Sequence, residues 1–226
     1  MFPPEAITFL RGLEKHNTRD WFQPRKEIFE TKLKEPMLAF VELINAELLK
    51  FAPEHITEPK KAVYRIYRDT RFSKDKTPYK THLGAIFPRR GLGKDSGAGF
   101  YFHVSAKAIG IACGAYAPGP EQLLKIRHFI AGNHNLFRTS HKLMGSVQGS
   151  TLQRLPKGFH AEDPAADLIK MKQWYWWVEL DGKLATSPKL KMEIVKRFHA
   201  MAPMVELLNR PLLGRAKTIL AADARG

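Results

Sequence analysis

The chain has 226 residues, 44% of them hydrophobic, with 37 Lys and Arg against 22 Asp and Glu, a formal net charge of +15. This length and apolar fraction fit a globular protein with a buried core, built as one large domain or two small ones. One cysteine excludes an internal disulfide framework, no run approaches the ~20 apolar residues of a membrane span, and residues 1–5 lack the basic start and apolar core of a secretory signal; a cytoplasmic, reducing location is expected, with no integral membrane association.

The first fifty residues read as helical. Ala6, Phe9, Leu10 and Leu13 repeat at the spacing of one helix face. Pro24 suits a first helical turn, and Pro36 is expected to open a longer helix whose buried side carries Met37, Phe40, Val41, Ile44 and Leu48, with Pro53 just beyond its end. In Asn17-Thr18-Arg19-Asp20-Trp21-Phe22, Asn17 is expected to end the first helix and Asp20 to cap the next.

The period then changes from helical to two-residue. Ala62, Tyr64 and Ile66 alternate with Val63, Arg65 and Tyr67, which predicts a strand over 62–68. Residues 83–87 form a short apolar run closed by Pro88, and 89–97 form a polar, glycine-rich turn. Phe100, Phe102 and Val104 alternate with Tyr101 and His103, and Ala106-Lys107 can turn directly into a strand over 108–116 that holds Cys113. Such short connections favour antiparallel neighbours in a meander.

Helix returns at Pro118-Gly119-Pro120-Glu121 and continues through Leu123, Ile126, Arg127 and Ile130. Residues 172–180 read as an aromatic strand in which Trp174 and Trp176 face one way and Tyr175 and Trp177 the other, a core face and an outer face. Leu190, Ile194, Phe198 and Met201 form a helical stripe, and Pro203 is expected to restart a short turn. The order predicts an α+β fold: a largely antiparallel meander with N-terminal and C-terminal helices packed on it. One domain is expected over 1–210, with a helical part at 1–52, a sheet region with inserted helices at 60–182, C-terminal helices at 186–210 and a basic tail at 211–226.

The charge is concentrated. Residues 60–94 hold eleven Lys and Arg against two Asp, so this stretch carries nine of the fifteen excess charges. The predicted strand is followed by a 13-residue loop, 69–81, long for a compact domain and therefore a place to look for function. Arg65, Arg68, Arg71, Lys74, Lys76 and Lys80 are the candidate anion-binding residues. Arginine offers a planar fork to phosphate or carboxylate, and lysine a mobile point charge. Tyr67, Ser73 and Tyr79, with Arg19 from the N-terminal helices, are candidate supporting groups: rings to stack on a base or sugar, and a hydroxyl to donate to phosphate oxygen. Asp69 and Asp75 can pair with some of these cations and hold the loop in shape, but two carboxylates cannot neutralise eleven cations.

The same segment, residues 65–82, resembles the widespread microbial family catalogued as domain of unknown function 2461. Residues 17–22, Tyr116-Ala117-Pro118, residues 155–159 and 168–172 are similar to that family's other recurrent stretches, up to about Asn209. The resemblance implies no catalytic residues to carry over.

Other chemistry is sparsely signalled. The nine histidines and one cysteine form neither His-x-x-x-His nor Cys-x-x-Cys, so no metal and no cofactor is expected. His82, beside a predicted strand neighbour of His103, is the candidate general acid or base, with Asp69 as a second candidate. Gly91-Leu92-Gly93-Lys94 lacks the spacing of a phosphate-binding loop, and no nucleophile elbow, recognition helix or zinc finger is present. Three functions remain: a binder of an anionic ligand, either nucleic acid or a phosphorylated small molecule; an enzyme acting on a phosphorylated or nucleotide substrate; or a structural ion-pair network tying the sheet to the N-terminal helices.

Overall fold

A computed structural model describes residues 1–94, 96–141 and 144–213. Four strands, β1 (His82–Pro88), β2 (Gly99–Ser105), β3 (Ala108–Ala115) and β4 (Trp174–Asp181), form one sheet in chain order, every neighbour antiparallel. The expected meander is therefore present. Alternation sets the buried side: Leu83, Ala85 and Phe87 pair with Val104, Phe102 and Phe100, and these with Ile109, Ile111 and Cys113, all buried. Trp174 and Trp176 extend this face on β4.

The helices cover it. They are α1 (Pro4–Lys15), α2 (Arg19–Phe22), α3 (Lys26–Ile28), α4 (Glu35–Leu48), α5 (Pro59–Ala62), α6 (Pro120–Gly132), α7 (His134–His141), α8 (Ala166–Ile169) and α9 (Leu190–Asn209). Phe40 of α4 meets Phe102 edge-on at 5.5 Å, and Phe198 of α9 lies 4.9 Å from Phe100 and 5.8 Å from Phe87. One buried cluster runs from Phe2 to Leu208. Among the described residues no helix is long and apolar enough to cross a membrane.

Three local expectations are corrected. Pro36 lies in the first turn of α4, but the chain is already helical upstream, through α3 and a π-helical segment at Phe29–Lys34. Pro36 has no N–H to give the carbonyl one turn back, and the wider π turn lies where that bond is lost. Pro203 does not restart a turn; it sits inside a continuous α9. Burial of Met201, Met204, Val205, Leu207 and Leu208 on both sides of the proline outweighs the missing hydrogen bond. The capping expectation also fails: Thr18 Oγ1 caps α2 by accepting from the Trp21 N–H at 3.3 Å, not Asp20.

Residues 62–68 are not a strand. Ala62 ends α5, and the segment then makes two isolated bridges, Val63 with Ala85 of β1 and Tyr67 with Tyr79 ahead of it. Arg68 N–H donates to the Pro78 carbonyl and Lys80 N–H to the Ile66 carbonyl. Pro78 has no N–H to return, so the ladder cannot extend. Of the basic tail expected at 211–226, Pro211 and Leu212 lie in a short 3-10 turn after α9, and 214–226 lie outside the described residues.

Candidate functional site

Among the described residues, the helices leave the sheet's second face uncovered along a groove. The two-residue period that buries Phe100, Phe102 and Val104 sends Tyr101 and His103 the other way, and places Gly84 and Ile86, Gly110, Ala112 and Gly114, and Tyr175 and Trp177 on the same side. In register, Ile86, Tyr101, Ala112 and Trp177 form one row, and Gly84, His103, Gly110 and Glu179 the next. The middle strand β3 thus offers only small residues, with rings on the strands either side. The result is a groove of about 540 Å³ along the open face, within the range of about 300–1,000 Å³ usual for small-ligand sites.

Gly110 is what permits the rings to close over β3. A Cβ there would stand 2.5 Å from the Trp177 ring and 2.7 Å from His103 Cε1. Ring centroids then follow at 5.3 Å for His103 with Trp177, 6.4 Å for Tyr101 with Trp177 and 4.4 Å for His82 stacked on His103. A hydrogen bond of 3.2 Å joins Tyr101 Oη and His103 Nδ1. Burial lowers the pKa of His103 to about 4, with the neighbouring His82 adding to the effect. Burial and then Lys80 lower that of His82, and burial holds the Tyr101 phenol protonated. The floor therefore carries neutral polar groups at neutral pH.

One end of the groove is cationic. Arg65 and Lys80 line it beside Tyr64, and Lys94 Nζ lies 4.1 Å and Lys80 Nζ 4.9 Å from the Tyr64 ring centre. Burial lowers the Lys80 pKa, and the charges of Arg65 and Lys94 lower it further. Among the described residues, none of these three cations has a carboxylate within salt-bridge distance. The three are like charges held near one another, and the nearest acidic influence on them, that of Asp69 on Arg65, acts through space and not by contact.

The structure divides the six candidate cations. Arg65 and Lys80 reach the groove; Arg68, Arg71, Lys74 and Lys76 do not line it. Arg68 Nη1 donates to Asp75 Oδ2 at 2.5 Å and to Thr77 Oγ1. Arg71 forks onto Asp69, Nε to Oδ1 at 3.0 Å and Nη2 to Oδ2 at 2.7 Å. Lys76 Nζ donates to the Thr70 carbonyl, and Lys74 is exposed. The hydrogen bonds from Arg71 hold the Asp69 pKa at about 2, and Asp69 lies outside the groove lining, whereas His82 is within it.

The supporting residues divide as well. Tyr79 is buried, stacked at 4.1 Å on Phe22, and Tyr67 packs against both rings at the surface. Ser73 belongs to the loop turn, its N–H donating to the Thr70 carbonyl. Arg19 is exposed on α2, outside the groove lining. Sequence reasoning missed Lys94 as a partner of the site, and Tyr101, Tyr116, Tyr175 and Trp177 as its walls. Small residues at 110, 112 and 114, alternating with bulkier Ile109, Ile111 and Cys113, were the available signal.

Among the described residues no group of three or more His, Cys, Asp or Glu side chains is placed to hold a metal ion. No curated protein and no solved structure matches the chain. A family model described as "Conserved hypothetical protein (DUF2461)" matches residues 5–207, from α1 to nearly the end of α9 and across every strand that builds the groove, so the chain belongs to that family.

Proposed function

We propose that the groove binds a phosphate-bearing ligand, with the anionic group at Arg65, Lys80 and Lys94 and the rest of the ligand on the open face of the sheet. The observation that carries this is the gathering of Arg65 and Lys80 at one end of a concave site, with Lys94 beside them over Tyr64 and no carboxylate among the described residues within salt-bridge distance of the three. An anion there relieves their mutual repulsion and gains charge-assisted hydrogen bonds. The lone, buried Cys113 fits a reducing, cytoplasmic setting for such a ligand.

A thermal-shift screen with inorganic pyrophosphate and phosphorylated metabolites tests it. At a ligand concentration of about 100 Kd, binding stabilises by roughly 2.7 kcal/mol, which for a chain of this size raises Tm by about 5–10 °C. Lys80→Ala, with binding weakened about tenfold, is expected to cut the rise to about half or less. A screen in which no phosphate compound shifts Tm, or a shift that is undiminished in Lys80→Ala, counts against the reading.

One observation favours a second reading, an enzyme acting on the same ligand. His82 and His103 stack inside the groove, and burial keeps both rings neutral, each with one unprotonated nitrogen that can face a bound ligand. The mark of this reading is turnover of a bound phosphorylated compound that His82→Gln removes while binding persists.

A further inference from the structure

We propose that the ligand of the groove is a nucleotide, with its base stacked against Trp177 and Tyr101 and its phosphate held by Arg65, Lys80 and Lys94. This rests on the anion-binding reading above and adds the chemistry of the ligand's other half.

The groove is amphipathic along its length. Its cations gather at the Tyr64 end, while its floor is main chain and small side chains on β3 under the rings of Tyr101 and Trp177. An inorganic phosphate or a sugar phosphate would fill the cationic end and leave those ring faces wet. A ligand that uses both ends is charged at one end and flat and apolar at the other. Base–aromatic stacking uses a ring face over its whole area, and every base has such a face. An alkyl chain has none.

The polar groups of the floor favour the same class. The Tyr101 hydroxyl, hydrogen-bonded to His103 Nδ1, and the His82 ring stacked on His103 offer single uncharged donors and acceptors. Base edges present the same kind of group, and a second charge on the ligand would find no partner there. Burial keeps both imidazoles neutral, which preserves this pattern at physiological pH.

Calorimetry on the full chain separates the cases. The probes are AMP, GMP, CMP and UMP, with ribose 5-phosphate and butyl phosphate as partial ligands. At least one mononucleotide is expected to bind about tenfold or more tightly than either partial ligand, the range that stacking one base supplies. Trp177→Ala should erase that advantage and leave ribose 5-phosphate unchanged. Trp177→Phe keeps a ring and should keep most of the advantage, which guards against a folding defect in the alanine variant. If ribose 5-phosphate or butyl phosphate binds as tightly as every mononucleotide, the nucleotide inference falls and the anion site stands. If no phosphate compound binds, both fall. A deoxyadenylate decamer identifies the source. Binding tighter than AMP places the nucleotide in a strand, and equal or weaker binding makes it a free one.

Discussion

Asn17 grips the backbone of Tyr79 from 62 positions away: its Nδ2 donates to the Tyr79 carbonyl at 2.8 Å, and its Oδ1 accepts from the Tyr79 N–H at 3.0 Å. The amide is matched to the N–H and C=O of one residue, donor to acceptor on both sides, and so fixes the basic segment against the N-terminal helices just before Lys80 enters the groove. Asn17→Ala leaves a partly buried N–H and C=O unpaired, at about 1 kcal/mol or more each. The expected loss is about 2–3 kcal/mol in urea denaturation. Asn17→Asp should fare no better, because it would set a carboxylate oxygen against the Tyr79 carbonyl.

Gly110 and Gly114 tolerate substitution differently, although both lie on the open face of β3. A Cβ at Gly110 meets ring atoms of Trp177 and His103, which can shift. Gly110→Ala is expected to cost about 1–3 kcal/mol, with a changed tryptophan emission as Trp177 moves. A Cβ at Gly114 would stand 2.1 Å from the Trp174 carbonyl oxygen, on a backbone at φ +126°. Main chain cannot move aside, so Gly114→Ala should cost roughly 4 kcal/mol or more and impair folding. Equal stability of the two variants would show that their neighbours yield alike.

The meander was legible because its signals are local: alternation at 98–105, a two-residue connection at 106–107, and the tryptophan pair whose sides the alternation assigned correctly. Residues 62–68 misled because β-formers at a two-residue period describe a pleat but not its hydrogen-bond partner, and Pro78 in the partner segment removes a donor. Pro36 and Pro203 misled because the local rule weighs one lost hydrogen bond and not the burial around it. The cation run pointed to the right part of the chain. It could not say that Asp69 and Asp75 would take Arg71 and Arg68, or that residues 101, 112 and 177 would meet in one row, since register is a property of the folded sheet.

Acid should destabilise the protein before its carboxylates titrate. His103 has a folded pKa of about 4 against 6.5 unfolded, and burial lowers His82 and His55 in the same direction. The folded state favours the neutral rings, so the unfolded chain binds more protons in this window. The stabilisation is complete above about pH 6.5 and is lost as pH falls towards 4. His103 alone contributes at most about 3 kcal/mol, at 1.36 kcal/mol for each pH unit. Urea melts at pH 7, 6 and 5 should show a falling midpoint, and His103→Gln should flatten the slope. A midpoint constant over this range would mean that the rings are solvated.

The two groups of cations should behave differently in binding, and this locates the anion. Arg71 and Asp69 neutralise one another, as do Arg68 and Asp75. What remains of their field at the groove is screened within the Debye length of about 8–10 Å. Arg71→Ala and Lys74→Ala are therefore expected to leave the affinity for a phosphorylated ligand within about twofold, since neither charge has a direct hold on a ligand in the groove. Arg65 and Lys80 can donate directly, and hydrogen bonds to charged groups contribute about 1.5–3 kcal/mol, so Arg65→Ala and Lys80→Ala should each weaken binding by about tenfold or more. Salt should discriminate in the same way: the dependence of affinity on ionic strength falls when Lys80 is removed and stays when Lys74 is removed. If instead the loop variants weaken binding as much as the groove variants, the anion sits on the loop around the exposed Phe72, and the groove is left without its charged partner.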